Sequence, residues 1–94
     1  MKIIVIGDIH GHSSWKKIID QEKDFDLILA NINRNVLVAH LPTYAEKLKP
    51  NGLIMLSGFF TTDISDLVRE ATGYNLLLQR TYEKEGWACL VFKK

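Results

Sequence analysis

One cysteine is too few for an intramolecular disulfide or a cysteine-rich zinc site, so Cys89 points to a reducing, cytoplasmic setting. No stretch approaches the ~20 apolar residues of a membrane helix. The opening Met1-Lys2-Ile3-Ile4-Val5-Ile6-Gly7-Asp8 is too short in its apolar part for a signal peptide and turns acidic too soon. No membrane partner is expected. An excess of charge of one sign is also missing: 12 Lys and Arg stand against 11 Asp and Glu, spread along the chain. Without a basic stripe to neutralise phosphates, nucleic acid is not an expected partner. Internal repeats and low-complexity linkers are absent, and 94 residues suffice for one core, so the expectation is a single domain over 1–94.

What the chain does contain is strands alternating with helices. Lys2 to Ile9 begins with four consecutive branched apolar residues and ends near Gly7, which predicts a buried parallel strand stopping in a turn. Ser13 or Ser14 can cap a helix whose apolar face is Trp15, Ile18 and Ile19. Leu27 to Ala30 is apolar at every position, as in a strand covered on both faces, and delivers Asn31 to a loop. Leu37, Leu41, Tyr44 and Leu48 then fall at i, i+4, i+7 and i+11, with Pro42 expected to kink the helix or divide it. Lys49-Pro50-Asn51-Gly52 predicts a turn and Leu53 to Leu56 a third strand. Thr61 or Thr62 can cap a helix carrying Ile64, Leu67, Val68 and Ala71, with Gly73 just past its end. Tyr74 to Tyr82 and Trp87 to Phe92 flank Glu83-Lys84-Glu85-Gly86 as an antiparallel hairpin. The expected fold is therefore α/β and Rossmann-like: a mostly parallel five-stranded sheet in the order β-α-β-α-β-α-β-β with a C-terminal hairpin.

Two stretches carry family resemblances that meet at Phe25-Asp26. Gly7-Asp8-Ile9-His10-Gly11-His12 resembles the opening motif of calcineurin-like metallophosphoesterases, which would make Asp8 and His10 metal ligands. That family's later Gly-Asp and Gly-Asn-His ligand motifs have no counterpart, so the two-metal site is incomplete. From Phe25 to Lys94 the chain resembles the C-terminal half of the S-adenosylmethionine-dependent methyltransferases that modify a large-subunit ribosomal protein. The resemblance rests on Asp26-Leu27-Ile28-Leu29-Ala30-Asn31-Ile32, Leu48-Lys49-Pro50-Asn51-Gly52, Leu56-Ser57-Gly58-Phe59 and Glu85-Gly86-Trp87. It implies that Asn31 lies near the methyl donor and the accepting amine. The family's glycine-rich loop has only Gly7 and Gly11 as a counterpart, without the required spacing. The two resemblances together suggest a chimera, natural or constructed, of a phosphoesterase-like 1–26 and a methyltransferase-like 27–94.

These readings make Asn31 the catalytic candidate, Gly7, Gly11 and Ser57 the cofactor candidates, and Asp8 and His10 an incomplete metal site. The simpler readings are a helix cap for Asn31, Asn33 and Asn35, turn geometry for Ser57-Gly58, an inert core thiol for Cys89, and core or interface positions for Trp15, Phe25, Tyr44, Phe59, Trp87 and Phe92. The expected function is a non-catalytic folded chimera, ahead of a methyltransferase fragment and then a crippled phosphoesterase. No cofactor is expected, S-adenosylmethionine included; weak binding of one divalent metal is the alternative. The expected partner is a second copy, through the sheet face or the first strand, because right-handed crossovers between neighbouring strands leave one face bare. The ligand count makes a prediction: with added manganese, hydrolysis of an aryl phosphate stays at the buffer rate and Asp8→Asn changes nothing. Metal-dependent turnover that disappears in Asp8→Asn would sink this reading.

Overall fold

The computed structural model describes residues 1–7 and 21–94. The predicted first helix, Asp8, His10, Gly11, His12 and Trp15 lie outside the described residues. Along the described chain run β1 (Ile3–Gly7), β2 (Phe25–Asn31), α1 (Arg34–Lys47), β3 (Leu48–Phe60), a 3-10 turn (Thr61–Asp63), α2 (Ile64–Gly73), β4 (Leu77–Lys84) and β5 (Trp87–Lys93). The sheet order is β1-β2-β3-β5-β4, with β1, β2 and β3 parallel and β5 antiparallel to both its neighbours. This is the expected Rossmann-like mixed sheet closed by a hairpin. Glu85 and Gly86, at φ 51° and 84°, make the two-residue turn whose twist suits that hairpin. No helix among the described residues is long and apolar enough to cross a membrane.

The core lies on one side of the sheet. Along each strand successive side chains alternate between faces, so the register collects Ile4, Ile28, Ile54 and Phe92 into one inward row and Ile6, Ala30, Leu56 and Leu90 into the next. All eight are buried. Helix α1 covers them with Leu37, Leu41 and Tyr44, and α2 with Leu67 and Ala71. Each fully buried aliphatic side chain contributes ~1.5–3 kcal/mol, so these rows are the main source of stability. The strands read as covered on both faces are covered on one. Leu27 and Leu29 are only partly buried, and Ile3 and Val5 are exposed.

Three local expectations are corrected. Helix α1 runs through Pro42 without dividing. Pro42 lies on the exposed side of the helix, while Leu37, Leu41 and Tyr44 hold both halves to the sheet. The Lys49–Gly52 turn is absorbed into β3 as a wide irregularity: β2 advances from Phe25 to Leu27 while β3 advances from Leu48 to Leu53, with Asn51 at φ 69°. Neither threonine caps α2; the Asp63 carboxylate instead accepts from the Phe60 backbone N–H at 3.2 Å. The asparagine reading holds at one position, since Asn33 Oδ1 accepts from the Val36 N–H at 3.1 Å and caps α1.

Polar contacts tie the elements at their ends. Lys94 Nζ donates to the carbonyls of Ala45 and Leu48, both at 2.6 Å, pinning the C-terminus to the end of α1. Arg34 and Asp66, 2.8 Å apart, join the starts of the two helices. Asp26 accepts from the Lys2 backbone N–H at 2.7 Å and pairs with Lys49 at 2.8 Å, linking β1, β2 and the β3 irregularity. The Lys2 N–H, then the Lys49 ammonium, hold the Asp26 carboxyl below its ordinary value of 3.8. Arg34 does the same for Asp66. A group whose folded pKa is lowered stabilises above its unfolded value and loses that contribution as pH falls through the folded one. Urea midpoints are therefore expected to hold from neutrality down to about pH 4 and then fall, and Asp26→Asn should remove part of the acid-side decline. An unchanged acid limb in Asp26→Asn would refute the role given to this carboxylate.

Candidate functional site

The carboxyl ends of β1, β2 and β3 lie along one edge of the sheet, where open α/β folds bind ligands. The register puts three of the sequence candidates into a single cross-strand row: Gly7 opposite Asn31, and Asn31 opposite Ser57. The row continues through Cys89 and Tyr82. Gly11, Asp8 and His10 lie outside the described residues, and among those described no cluster of three or more His, Cys, Asp or Glu could hold a metal ion.

A cleft of about 520 Å³ opens at this edge, lined by Asn31, Ile32, Asn33, Ser57, Gly58, Trp87 and Ala88. It is built by a bulge. Between Ser57 and Phe59 the register of β3 against β5 shifts by one residue, and Gly58, at φ 90°, is the extra residue. A side chain at Gly58 would begin 2.6 Å from Asn31 Oδ1 and 2.9 Å from the Ile32 carbonyl oxygen. The absent Cβ thus lets β3 close against the Asn31 turn, where the Ile32 N–H donates to the Ser57 carbonyl at 3.1 Å. Asn31 itself is exposed, and its side chain makes no hydrogen bond among the described residues. At Gly7 an added Cβ would meet nothing nearer than the Asn31 carbonyl oxygen at 3.9 Å, so the row is open at that end.

The far wall is aromatic. Trp87 stacks on Phe60 with ring centroids 4.5 Å apart at 27°, and both rings are about half exposed. Of the aromatics read as core or interface, Phe25, Tyr44, Phe59 and Phe92 are buried, whereas Trp87 stands at the cleft mouth. The reading missed it because an apolar run beginning at Trp87 looks like core from end to end; only the alternation of β5 sends Trp87 outward and Ala88 inward. Alternation also corrects Cys89, which is only partly buried and lies on the outward row. Partial burial pushes its thiol pKa up, which keeps it protonated and unreactive. The lining offers amide, hydroxyl and backbone hydrogen-bonding groups beside an indole face, with no charged side chain among the described residues. Such a cleft can orient a polar, uncharged nucleophile.

Comparison with known proteins adds the lineage. The family model for ribosomal protein L11 methyltransferase (PrmA) matches residues 5–94. It passes through Phe25-Asp26 without a break, and no comparison supports a phosphoesterase segment or a chimera. The ribosomal protein L11 methyltransferase of Porphyromonas gingivalis is 44% identical over 68 residues, 72% of this chain and 23% of the relative. That of Phocaeicola vulgatus is 39% identical over 75 residues, 80% of this chain and 27% of the relative. The chain spans about a quarter of the length of these relatives. The crystal structure of a ribosomal protein L11 methylase from Lactobacillus delbrueckii subsp. bulgaricus superposes with a TM-score of 0.74 at 21% identity, covering 80% of this chain and 39% of that one. The shared fold is that of the mixed sheet with its hairpin.

Gly58 holds the cleft in shape, so its replacement tests the geometry. Gly58→Ala forces a Cβ into Asn31 Oδ1 at a left-handed φ and is expected to cost about 1–3 kcal/mol in urea unfolding. The Asn31 side-chain amide resonances should move in the same variant. A Gly58→Ala protein with unchanged stability and unchanged Asn31 resonances would refute this account of the bulge.

Proposed function

Because the chain belongs to the ribosomal protein L11 methyltransferase family, we propose that it is the sheet segment of an S-adenosylmethionine-dependent protein methyltransferase that presents the accepting amine, with Asn31 as the orienting residue. The observation that carries this reading is the cleft itself: Asn31, exposed at the end of a parallel strand, is held against Gly58 beside the Trp87 indole. It replaces the non-catalytic chimera as the preferred reading. It also reverses the expectation about S-adenosylmethionine.

The residues at the cleft fit one end of that cofactor. S-adenosylmethionine, when bound, supplies an electrophilic methyl group on a sulfonium centre. Among the described residues the cleft carries no charged side chain and presents an indole face, which suits a cation. It has no carboxylate among its lining residues to grip a ribose, so the described residues fit the reacting end and leave the nucleoside end unheld. For the acceptor, Asn31 Oδ1 accepts a hydrogen from the amine and thereby turns the nitrogen lone pair into the cleft. The amine must arrive neutral, because a protonated one has no lone pair to donate. Among the described residues no lining side chain is a general base, and water at the open cleft can take the proton lost on methylation. Trp87 and Ala88 close one side of the cleft to solvent.

The test is to titrate S-adenosylmethionine into the isotope-labelled chain up to several millimolar. Shifts confined to the Asn31 side-chain amide, the Gly58 N–H and the Trp87 indole N–H are expected. A dissociation constant on the order of 1 mM corresponds to ~4 kcal/mol of binding. Asn31→Ala, at an exposed position, should stay folded and weaken at least threefold the response to added trifluoroethylamine, an amine that is neutral at neutral pH. If neither compound moves any of these resonances, the cleft is not a methyl-transfer site.

A further inference from the structure

The sheet has a second face that nothing among the described residues covers. Ten large apolar side chains are exposed, and seven of them belong to the outward rows. Ile3, Leu53 and Leu77 share one row, completed by Leu27 and Lys93. Val5 lies in the next with Leu29, Met55 and Val91. Tyr82, then the stacked Phe60 and Trp87, finish the face toward the hairpin turn. The two bulges, at Ser57/Phe59 and Leu78/Arg80, each skip one residue and so keep these side chains in phase. The seven are between 39% and 70% exposed. With Cα extents of 35 × 32 × 21 Å, the molecule is a slab and this is one of its broad sides.

We propose that this face packs against the same face of a second copy, with the twofold axis running along β3. Seven half-exposed apolar side chains offer on the order of 700 Å² per copy, so the paired faces reach the roughly 1,200–2,000 Å² of a stable interface. A monomer rarely exposes a contiguous apolar patch above a few hundred Å². The charges select the axis. The outward rows carry Arg80, Lys84 and Lys93, all on β4 and β5, and no carboxylate. An axis along β3 sets β1 of one copy over β4 of the other. Strands lie ~4.8 Å apart, so the cations of the two copies end about 10–20 Å from one another, beyond the ~8 Å screening length of physiological salt. Their aliphatic stems then lie over the apolar β1 edge, with the charged heads in water. The arrangement is an aligned packing of two sheets ~10 Å apart.

Sedimentation equilibrium from 1 to 200 µM tests it. The chain is expected at twice its 10.8 kDa mass over the upper part of that range. Val5→Lys and Leu53→Lys, both at half-exposed outward positions, should each raise the dissociation constant at least tenfold while keeping the far-ultraviolet spectrum. Ala39→Lys, on the exposed side of α1, should leave it unchanged. In a mixture of labelled and unlabelled wild-type chains, filtered NMR contacts are expected between Met55 and Leu29 methyls of different copies. A monomer at 200 µM overturns the proposal. A dimer that tolerates both lysine substitutions, or one without those methyl contacts, also overturns it and places the contact elsewhere, with β1 edge pairing the first alternative. None of these outcomes depends on methyl transfer.

Discussion

The handedness of the parallel crossover governs most of this molecule. A strand, a helix and a second parallel strand join in a right-handed turn almost without exception, because a right-twisted strand feeding a right-handed helix packs back on the sheet only that way. Here β1, β2 and β3 are neighbours in chain order and β4 lies further on in the same direction, so the connections through α1 and α2 advance the same way and only β5 turns back, between β3 and β4. Both described helices therefore lie over the same rows, and the core is the single layer between those rows and α1 and α2. Even the proline in α1 yields to this constraint, since the buried residues on either side of it have only one surface to meet.

The same parallel arrangement brings the strand ends together. Gly7, Asn31 and Ser57 are 24 and 26 residues apart along the chain yet adjacent across the sheet, because the parallel register advances β1, β2 and β3 in step. What turns a strand edge into a cleft is a local departure from regularity. Gly58 adds a residue to β3, takes a backbone conformation other residues resist, and leaves the space that Asn31 Oδ1 occupies. The antiparallel β5 then carries Trp87 up to the opposite wall. Two parallel strands and one antiparallel strand thus contribute to one small site.

The family relation sets that cleft beside those of longer relatives. The matching relatives are about three times as long, and the described residues of the cleft offer hydrogen-bonding and aromatic groups without an acid among them. The apolar face that the described residues leave uncovered has its origin in the helical crossovers. A doubly covered sheet needs helices on both sides, and the right-handed connections through α1 and α2 supply both described helices to one.

How much of this could be read from the residues depends on the range over which each signal acts. Branched apolar runs, the Leu37-Leu41-Tyr44 spacing and the Glu83-Lys84-Glu85-Gly86 turn are local, and each predicted its element, although Glu83 and Lys84 belong to β4 and the turn itself is Glu85-Gly86. Even the candidate row of Gly7, Asn31 and Ser57 was legible, because strand ends announce themselves where apolar runs stop. Boundaries were not: β3 extends from Leu48 through a predicted turn, since pairing with β2 and β5 holds backbone that would otherwise be loop. Nor could Trp87 and Cys89 be told from core residues, because which way a side chain on an unbroken apolar strand points is a matter of register with its neighbours. The sequence by itself determined the elements, their order and their apolar content. Only the tertiary structure decided which half of that apolar content is buried and that Asn31, Gly58 and Trp87 meet, because facing and meeting are properties of strand pairing, which acts between residues far apart in the chain.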